Sequence, residues 1–216
     1  MNARAAAERQ WLTAAMIAAI PGSMMAAALV NALSFLRPLK LDLYIYKIDG
    51  LLTFQPSFAM GCFLRQFPLL RAAAFYAYNA MPFAMIAVMW LYVRKGWPAL
   101  PLVRTLTWNL FAALPVYLLV PVAGPMYAFA SFPNLPHGVS PHPIPIAAPP
   151  NGVPSVHFST AILIYLFARR SPLGRTLAWL YLLLTFVSTL GFGEHYLFDL
   201  VMALPYALTI WKYQSK

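Results

Sequence analysis

Residues 173–200 read LGRTLAWLYLLLTFVSTLGFGEHYLFDL. From Thr176 to Leu190 no side chain carries a charge, and Leu dominates the run. An apolar stretch near 20 residues is long enough to cross the hydrocarbon core of a bilayer as a helix. Gly191 and Gly193 then interrupt the pattern, and Glu194, His195 and Asp199 follow at once. A further apolar block starts there and runs to Trp211. Two apolar helices joined by a turn that carries ionisable groups place polar chemistry at one membrane face.

The rest of the chain extends this reading. Of 216 residues, 62% are hydrophobic and 9% charged, whereas a soluble domain is about 25% charged. So few polar side chains would not cover the surface of a soluble protein. Six apolar blocks stand out: Trp11–Leu36, Leu69–Tyr92, Leu102–Ala123, Ser155–Ala168, Leu173–Leu190 and His195–Trp211. The expected fold is all-α, a polytopic bundle of six transmembrane helices forming one domain over residues 1–216. Pro21, Pro82, Pro115 and Pro205 fall inside four blocks. In lipid they are expected to kink helices rather than break them. The first block follows Arg4 and Arg9, as a signal peptide would, but its length favours a retained helix. The single cysteine, Cys62, allows no intrachain disulfide.

Charge gives the orientation. Threading six helices puts Arg4, Arg9, Arg94, Lys95, Arg104, Arg169, Arg170, Arg175, Lys212 and Lys216 on one side. Lys and Arg accumulate on the cytoplasmic side, so both termini are expected there. The net charge of +10 is thus topological and attracts anionic lipid headgroups. It forms no continuous basic face, and no nucleic-acid partner is expected. Residues 124–154 lie on the outer side and hold no Lys or Arg. Their proline density excludes a helix and favours stiff, extended backbone. Residues 37–68 break the charge rule, with Arg37, Lys40, Lys47 and Arg65 on the outer side, Arg71 just beyond, and Asp42 and Asp49 in partial offset. The alternation over Leu41–Ile48 suggests an interfacial helical segment against the bundle. Each cation there is either part of a solvated face or, as for Lys47 and Arg65, a candidate to reach a phosphate.

Two short segments carry the chemistry. Pro154-Ser155-Val156-His157 opens the fourth block, and Gly193-Glu194-His195-Tyr196-Leu197-Phe198-Asp199 opens the sixth. Threading sets both at the outer face. His195 and Asp199 are four residues apart, so on a helix they share a face. Asp199 can fix one imidazole nitrogen and leave the other as a nucleophile. His157, on another helix, can protonate a departing oxygen. Ser155 sits at a cap position, where free backbone amides and its hydroxyl can receive a phosphate. Other readings remain open: helix–helix hydrogen bonding by either histidine, or a zinc site completed by His137 or His142.

These segments resemble the type-2 phosphatidic acid phosphatase superfamily of membrane lipid phosphatases and phosphotransferases. Pro154-Ser155-Val156-His157 matches one of its motifs and His195 to Asp199 another. The Gly-Glu-His-Tyr form is most similar to the inositol phosphorylceramide synthase-like branch. The resemblance implies that His195 attacks phosphorus, Asp199 orients it, His157 is the general acid and Ser155 binds phosphate, with no metal or other cofactor. It also implies that Gly124-Pro125-Met126-Tyr127 stands in the place of the first motif, making Tyr127 a phosphate contact. Thr189 stands where many members carry Arg, and Val30 where a first-motif Lys would fall. Phosphate affinity must then come from helix termini or from the basic outer segment.

The expected function is therefore that of an integral membrane enzyme, in a bacterial inner membrane, taking a lipid phosphate or lipid-linked pyrophosphate at the extracytoplasmic face. A catalytically silent lipid-binding or scaffold member of the same fold is the alternative. A proton-coupled transporter has little to work with, because only Asp199 sits deep among the acids.

Overall fold

The computed structural model describes residues 3–214. Lys216 and the side chains of Arg4 and Arg9, which entered the charge reading, lie outside the described residues. The chain is almost wholly helical, with α1 Ala3–Leu36, α2 Asp42–Asp49, α3 Pro56–Gln66, α4 Pro68–Asn79, α5 Met81–Lys95, α6 Leu100–Phe111, α7 Ala113–Leu119, α8 Pro125–Ala128, α9 Val156–Ala168, α10 Pro172–Gly191 and α11 Leu197–Gln214. A short antiparallel pair, β1 Leu39–Lys40 and β2 Ile144–Pro145, is the one sheet among the described residues.

All six apolar blocks are helical, but they do not all have the dimensions of a span. Three stretches are long and apolar enough to cross a membrane: Thr13–Leu36, Leu100–Leu119 and Pro172–Gly191. The second block is α4 and α5, bent by 65° at their junction, and makes a fourth if counted as one span. Pro82 thus follows a break rather than a kink, since it occupies the first turn of α5. That is where its missing N–H is harmless. Pro21 and Pro205 do sit inside continuous helices. This set of apolar helices marks an integral membrane protein.

α9 is the axis of the bundle. With 13 residues it is shorter than the range of roughly 17–25 for a spanning helix. It is apolar around its whole circumference and buries nine residues, including Phe158, Ile162, Leu163 and Phe167. A helix without a polar face belongs inside. α5, α6, α10 and α11 pack around it, contributing Met85, Leu106, Leu190 and Leu200 to the shared core. α1 leans on α5 with lesser contact to α6 and α7 and is otherwise mostly exposed.

A second apolar cluster covers one end of this bundle. Tyr46, Phe58, Phe129 and Phe132 meet edge-on or tilted, with ring centroids 4.9–5.7 Å apart, a favoured aromatic geometry. The interfacial segment expected after α1 is helical, as α2 and α3. The alternating pattern turns its acids inward: Asp42, Leu43, Ile45, Tyr46 and Asp49 are buried while Lys47 is exposed. Lys40 is also buried, and its ammonium donates to the Arg37 and Ile146 carbonyls. It therefore ties the end of α1 to the proline-rich loop. No helix forms between Phe129 and Ser155. Instead β2 pairs with β1, and Gly152 N–H donates to the Val122 carbonyl.

One buried residue links three helices, through its side-chain amide to α9 and its backbone carbonyl to α11. Asn109 of α6 donates to Thr160 Oγ1 at 2.9 Å and accepts from Ser159 Oγ at 2.8 Å, both on α9. Its carbonyl accepts from the Tyr206 hydroxyl of α11. Asn109→Leu would orphan the Thr160 hydroxyl and leave Ser159 Oγ only its bond to the Val156 carbonyl. The expected loss is about 1–2 kcal/mol, read as a lowered unfolding midpoint in detergent, with Ser159→Ala losing less.

Candidate active site

His195 lies in the turn between α10 and α11, two residues before the helix rather than on it. Its N–H donates to the Thr189 carbonyl, and its carbonyl accepts from Ser57 Oγ at 2.8 Å. Both peptide groups of a turn residue are thus anchored, which fixes the buried ring (1% exposed). Nδ1 lies 3.3 Å from Asp199 Oδ2. A carboxylate can only accept, so Nδ1 carries the proton and Nε2 keeps its lone pair. The separation is slightly longer than the usual range for such a bond.

Asp199 has a second task. Its Oδ2 also accepts from Tyr196 N–H at 2.9 Å. An acid in the first helical turn reaching back to the preceding amide is one half of a capping box. The other half comes from a different element. Asp49, at the end of α2, accepts from Leu197 N–H at 2.8 Å and Phe198 N–H at 2.9 Å. The first amides of α11, normally served by a local cap, are held from outside. Asp42, two turns earlier on α2, accepts from Ala123 and Gly124 N–H at 3.0 and 2.7 Å and from the Tyr196 hydroxyl at 3.2 Å. Burial raises both carboxyls to about 6, against the pull of these bonds and with help from the nearby Asp199 charge.

His157 stands in the first turn of α9, and its ring stacks flat on Tyr78 of α4 at 4.2 Å between centroids. It lies close enough to His195 for the two rings to interact electrostatically. The starts of α9 and α11 are joined directly, since Ser155 N–H donates to the Asp199 carbonyl at 3.3 Å. The structure therefore brings His157, His195, Asp199 and Ser155 together. Ser155 is buried at the N-cap of α9, where Oγ accepts from Phe158 N–H at 3.3 Å, the capping geometry its sequence position suggests.

The other expected phosphate contacts are placed differently. Tyr127 donates its hydroxyl to Glu194 at 3.1 Å, and burial beside that carboxylate pushes the phenol up to about 12. Its segment is locked on the 193–194 turn: Met126 N–H donates to the Gly193 carbonyl at 2.9 Å. A Cβ at Gly124, whose φ is +129°, would come within 2.3 Å of the Glu194 carbonyl oxygen. Lys47 is exposed on α2. Arg65 is exposed as well and donates to the Phe132 carbonyl. Arg71 is the cation that lines a groove of about 660 Å³ together with Tyr78 and Glu194. His137 and His142 are exposed in the proline-rich loop. No group of three or more His, Cys, Asp or Glu side chains suited to a metal ion gathers among the described residues.

A motif histidine on α9 and another in the turn before α11, the latter tied to an aspartate, both lie in the stretch that matches a known family. The model of the PAP2 superfamily matches residues 43–213. The chain belongs to the PAP2 superfamily. The match includes both motifs and every helix from α3 to α10 in full, and it leaves α1 outside. No curated protein and no solved structure matches the chain. PAP2 membership points to a phosphatase-type, phosphoryl-transfer function.

Several site residues of this PAP2 protein escape a reading by motif. The chain has 5 acids in all, and Asp42 and Asp49 are two that lie outside both motifs. Asp42 and Asp49 are seven apart, hence on one face of α2. That spacing in an acid-poor membrane chain was the available signal. Ser57 and Tyr78 offered none, because their partners are distant in sequence.

Asp49→Ala should cost about 1–2 kcal/mol of stability by orphaning two helix-start amides, and should lower turnover by loosening the His195–Asp199 pair. A second expectation concerns pH. Folded carboxyls near 6 against 3.8 unfolded mean that the folded chain holds protons the unfolded chain has released. Stability should therefore fall as pH rises from about 4 to 6 and level off above. Unfolding midpoints across that window should show a shallower slope for Asp49→Asn.

Proposed function

We propose that this protein is a lipid phosphatase or phospholipid headgroup phosphotransferase that works through a phosphohistidine. His195 Nε2 attacks phosphorus, the bond from phosphorus to the lipid-linked oxygen breaks, and His157 gives that oxygen a proton. Asp199 holds the imidazole and balances its positive charge in the adduct. Water or an alcohol headgroup then attacks phosphorus, returns a proton to His157 and frees His195. The observation that carries the reading is the His195–Asp199 pair beside a second imidazole from another helix. Ser155 and the first amides of α9 are the phosphate donors in this scheme. Tyr127 and Arg71 stand at its rim, and Arg65 and Lys47 serve the approach of an anionic headgroup. No metal or cofactor takes part.

The finer assignments belong to the same proposal. The chain is one domain of six crossings with both termini cytoplasmic, set in a bacterial inner membrane, with the histidines on the extracytoplasmic side. The excess of Lys and Arg at the ends opposite the histidines supports that orientation. The Gly-Glu-His-Tyr form supports the inositol phosphorylceramide synthase-like branch, and with it an alcohol acceptor. The silent scaffold reading is not favoured, because so many buried bonds converge on His195 and Asp199.

Purified His195→Ala should lose at least about a thousandfold in phosphate release from lipid phosphates. His157→Ala should lose about 10²–10⁴-fold with an alkyl alcohol as the departing group and much less with a nitrophenolate, which needs no proton. Full activity in His195→Ala would remove the nucleophile assignment.

A further inference from the structure

A cavity of about 220 Å³ lies between α1 and the α6–α7 pair. Gly22, Ala26 and Val30, spaced by one turn, line it on α1, and Leu110, Phe111 and Leu114 line it opposite. Tyr117 and His157 line it as well.

Small residues at this spacing on a membrane helix normally let a neighbouring backbone approach closely. Here they do not. A Cβ added at Gly22 meets nothing within 4 Å, so the small face of α1 borders a gap. Met25, Leu29 and Phe111 also line the cavity, and all three are exposed. The opening therefore faces the surroundings of a spanning helix, which are hydrocarbon. The lining is mostly apolar but includes Ser23, Asn31, Asn151 and the His157 imidazole, a mixture that suits an amphiphile. The groove beside Tyr78 and Glu194 shares no lining residue with it, which leaves a separate path for water or an alcohol.

We infer that this cleft seats the hydrocarbon tail of the lipid phosphate substrate, so that the phosphate reaches His157 from the bilayer side. The inference rests on the phosphoryl-transfer reading of His157 and His195. It makes α1, which lies outside the family match, a wall that selects for substrates with a long tail.

Full-length protein in phosphatidylcholine vesicles, given long-chain phosphatidate or its short-chain, water-soluble counterpart, tests it. Gly22→Phe fills the cleft from a position with room for a side chain. It should lower kcat/KM for the long-chain substrate roughly tenfold or more, chiefly through KM, and leave the short-chain value unchanged. Ala28→Phe, on the exposed side of α1 away from the cleft, should change neither. Undiminished long-chain turnover in Gly22→Phe overturns the inference. A photoreactive diazirine in the tail of the long-chain phosphatidate gives a readout independent of turnover. It should label residues 22–30 of the wild-type protein, with displacement by excess long-chain phosphatidate but not by diacylglycerol of the same tails. Labelling found elsewhere, or displaced equally by both, overturns the inference even if Gly22→Phe loses all activity. Wild-type protein that turns over neither substrate overturns the phosphoryl-transfer reading, and the labelling then decides the cleft by itself.

Discussion

The start of α11 is the point on which the rest of the site depends. A helix begins with amides that have no partner inside the helix, and this one begins with Tyr196-Leu197-Phe198, none of which can cap it. Asp49 takes two of those amides and Asp199 a third. Both acids also lie at the positive end of the helix dipole, which favours negative charge. Asp199 is thus held in place by helix formation itself, and the same oxygen that accepts from Tyr196 N–H meets His195 Nδ1. One arrangement solves a backbone problem and sets an imidazole tautomer.

The cover over the bundle follows from the same constraint. α2 must lie where Asp49 can reach α11, and this places Asp42 against the 123–124 amides and the Tyr196 hydroxyl. The segment at 124–127 then packs against the 193–194 turn, with Gly124 at the closest approach. Ser57 on α3 anchors the His195 carbonyl. A polar network of this kind is costly to bury unless each member is satisfied. Burial of the aromatic cluster around Tyr46 and Phe58 excludes water from above and strengthens these bonds. The basic residues of the same outer segment have a different part. Lys40 closes the end of α1, and Lys47 and Arg65 stay at the surface.

His157 is held by another logic. It rides on a helix that buries nine of its 13 residues, so its height is set by the core. Its ring direction is set by stacking on Tyr78, and the cap at Ser155 links its helix to the Asp199 carbonyl. The two imidazoles thus owe their proximity to two helix starts bonded to each other.

The amino-acid sequence by itself determined the class of fold. Hydrophobic blocks of spanning length demand helices in lipid, since no other local structure satisfies its own backbone there. It also singled out His157, His195, Asp199 and Ser155 as candidates, because ionisable and capping residues at helix starts stand out in so apolar a chain. Tertiary structure alone decided that Asp49 serves the start of α11 and Asp42 the 123–124 amides rather than offsetting nearby cations. It also decided that the second block breaks at Ala80, and that Tyr127 bonds Glu194. Those outcomes depend on which distant amide or carboxylate is presented to each side chain. Sequence periodicity reports only the face of a residue's own helix, not what will be packed against it.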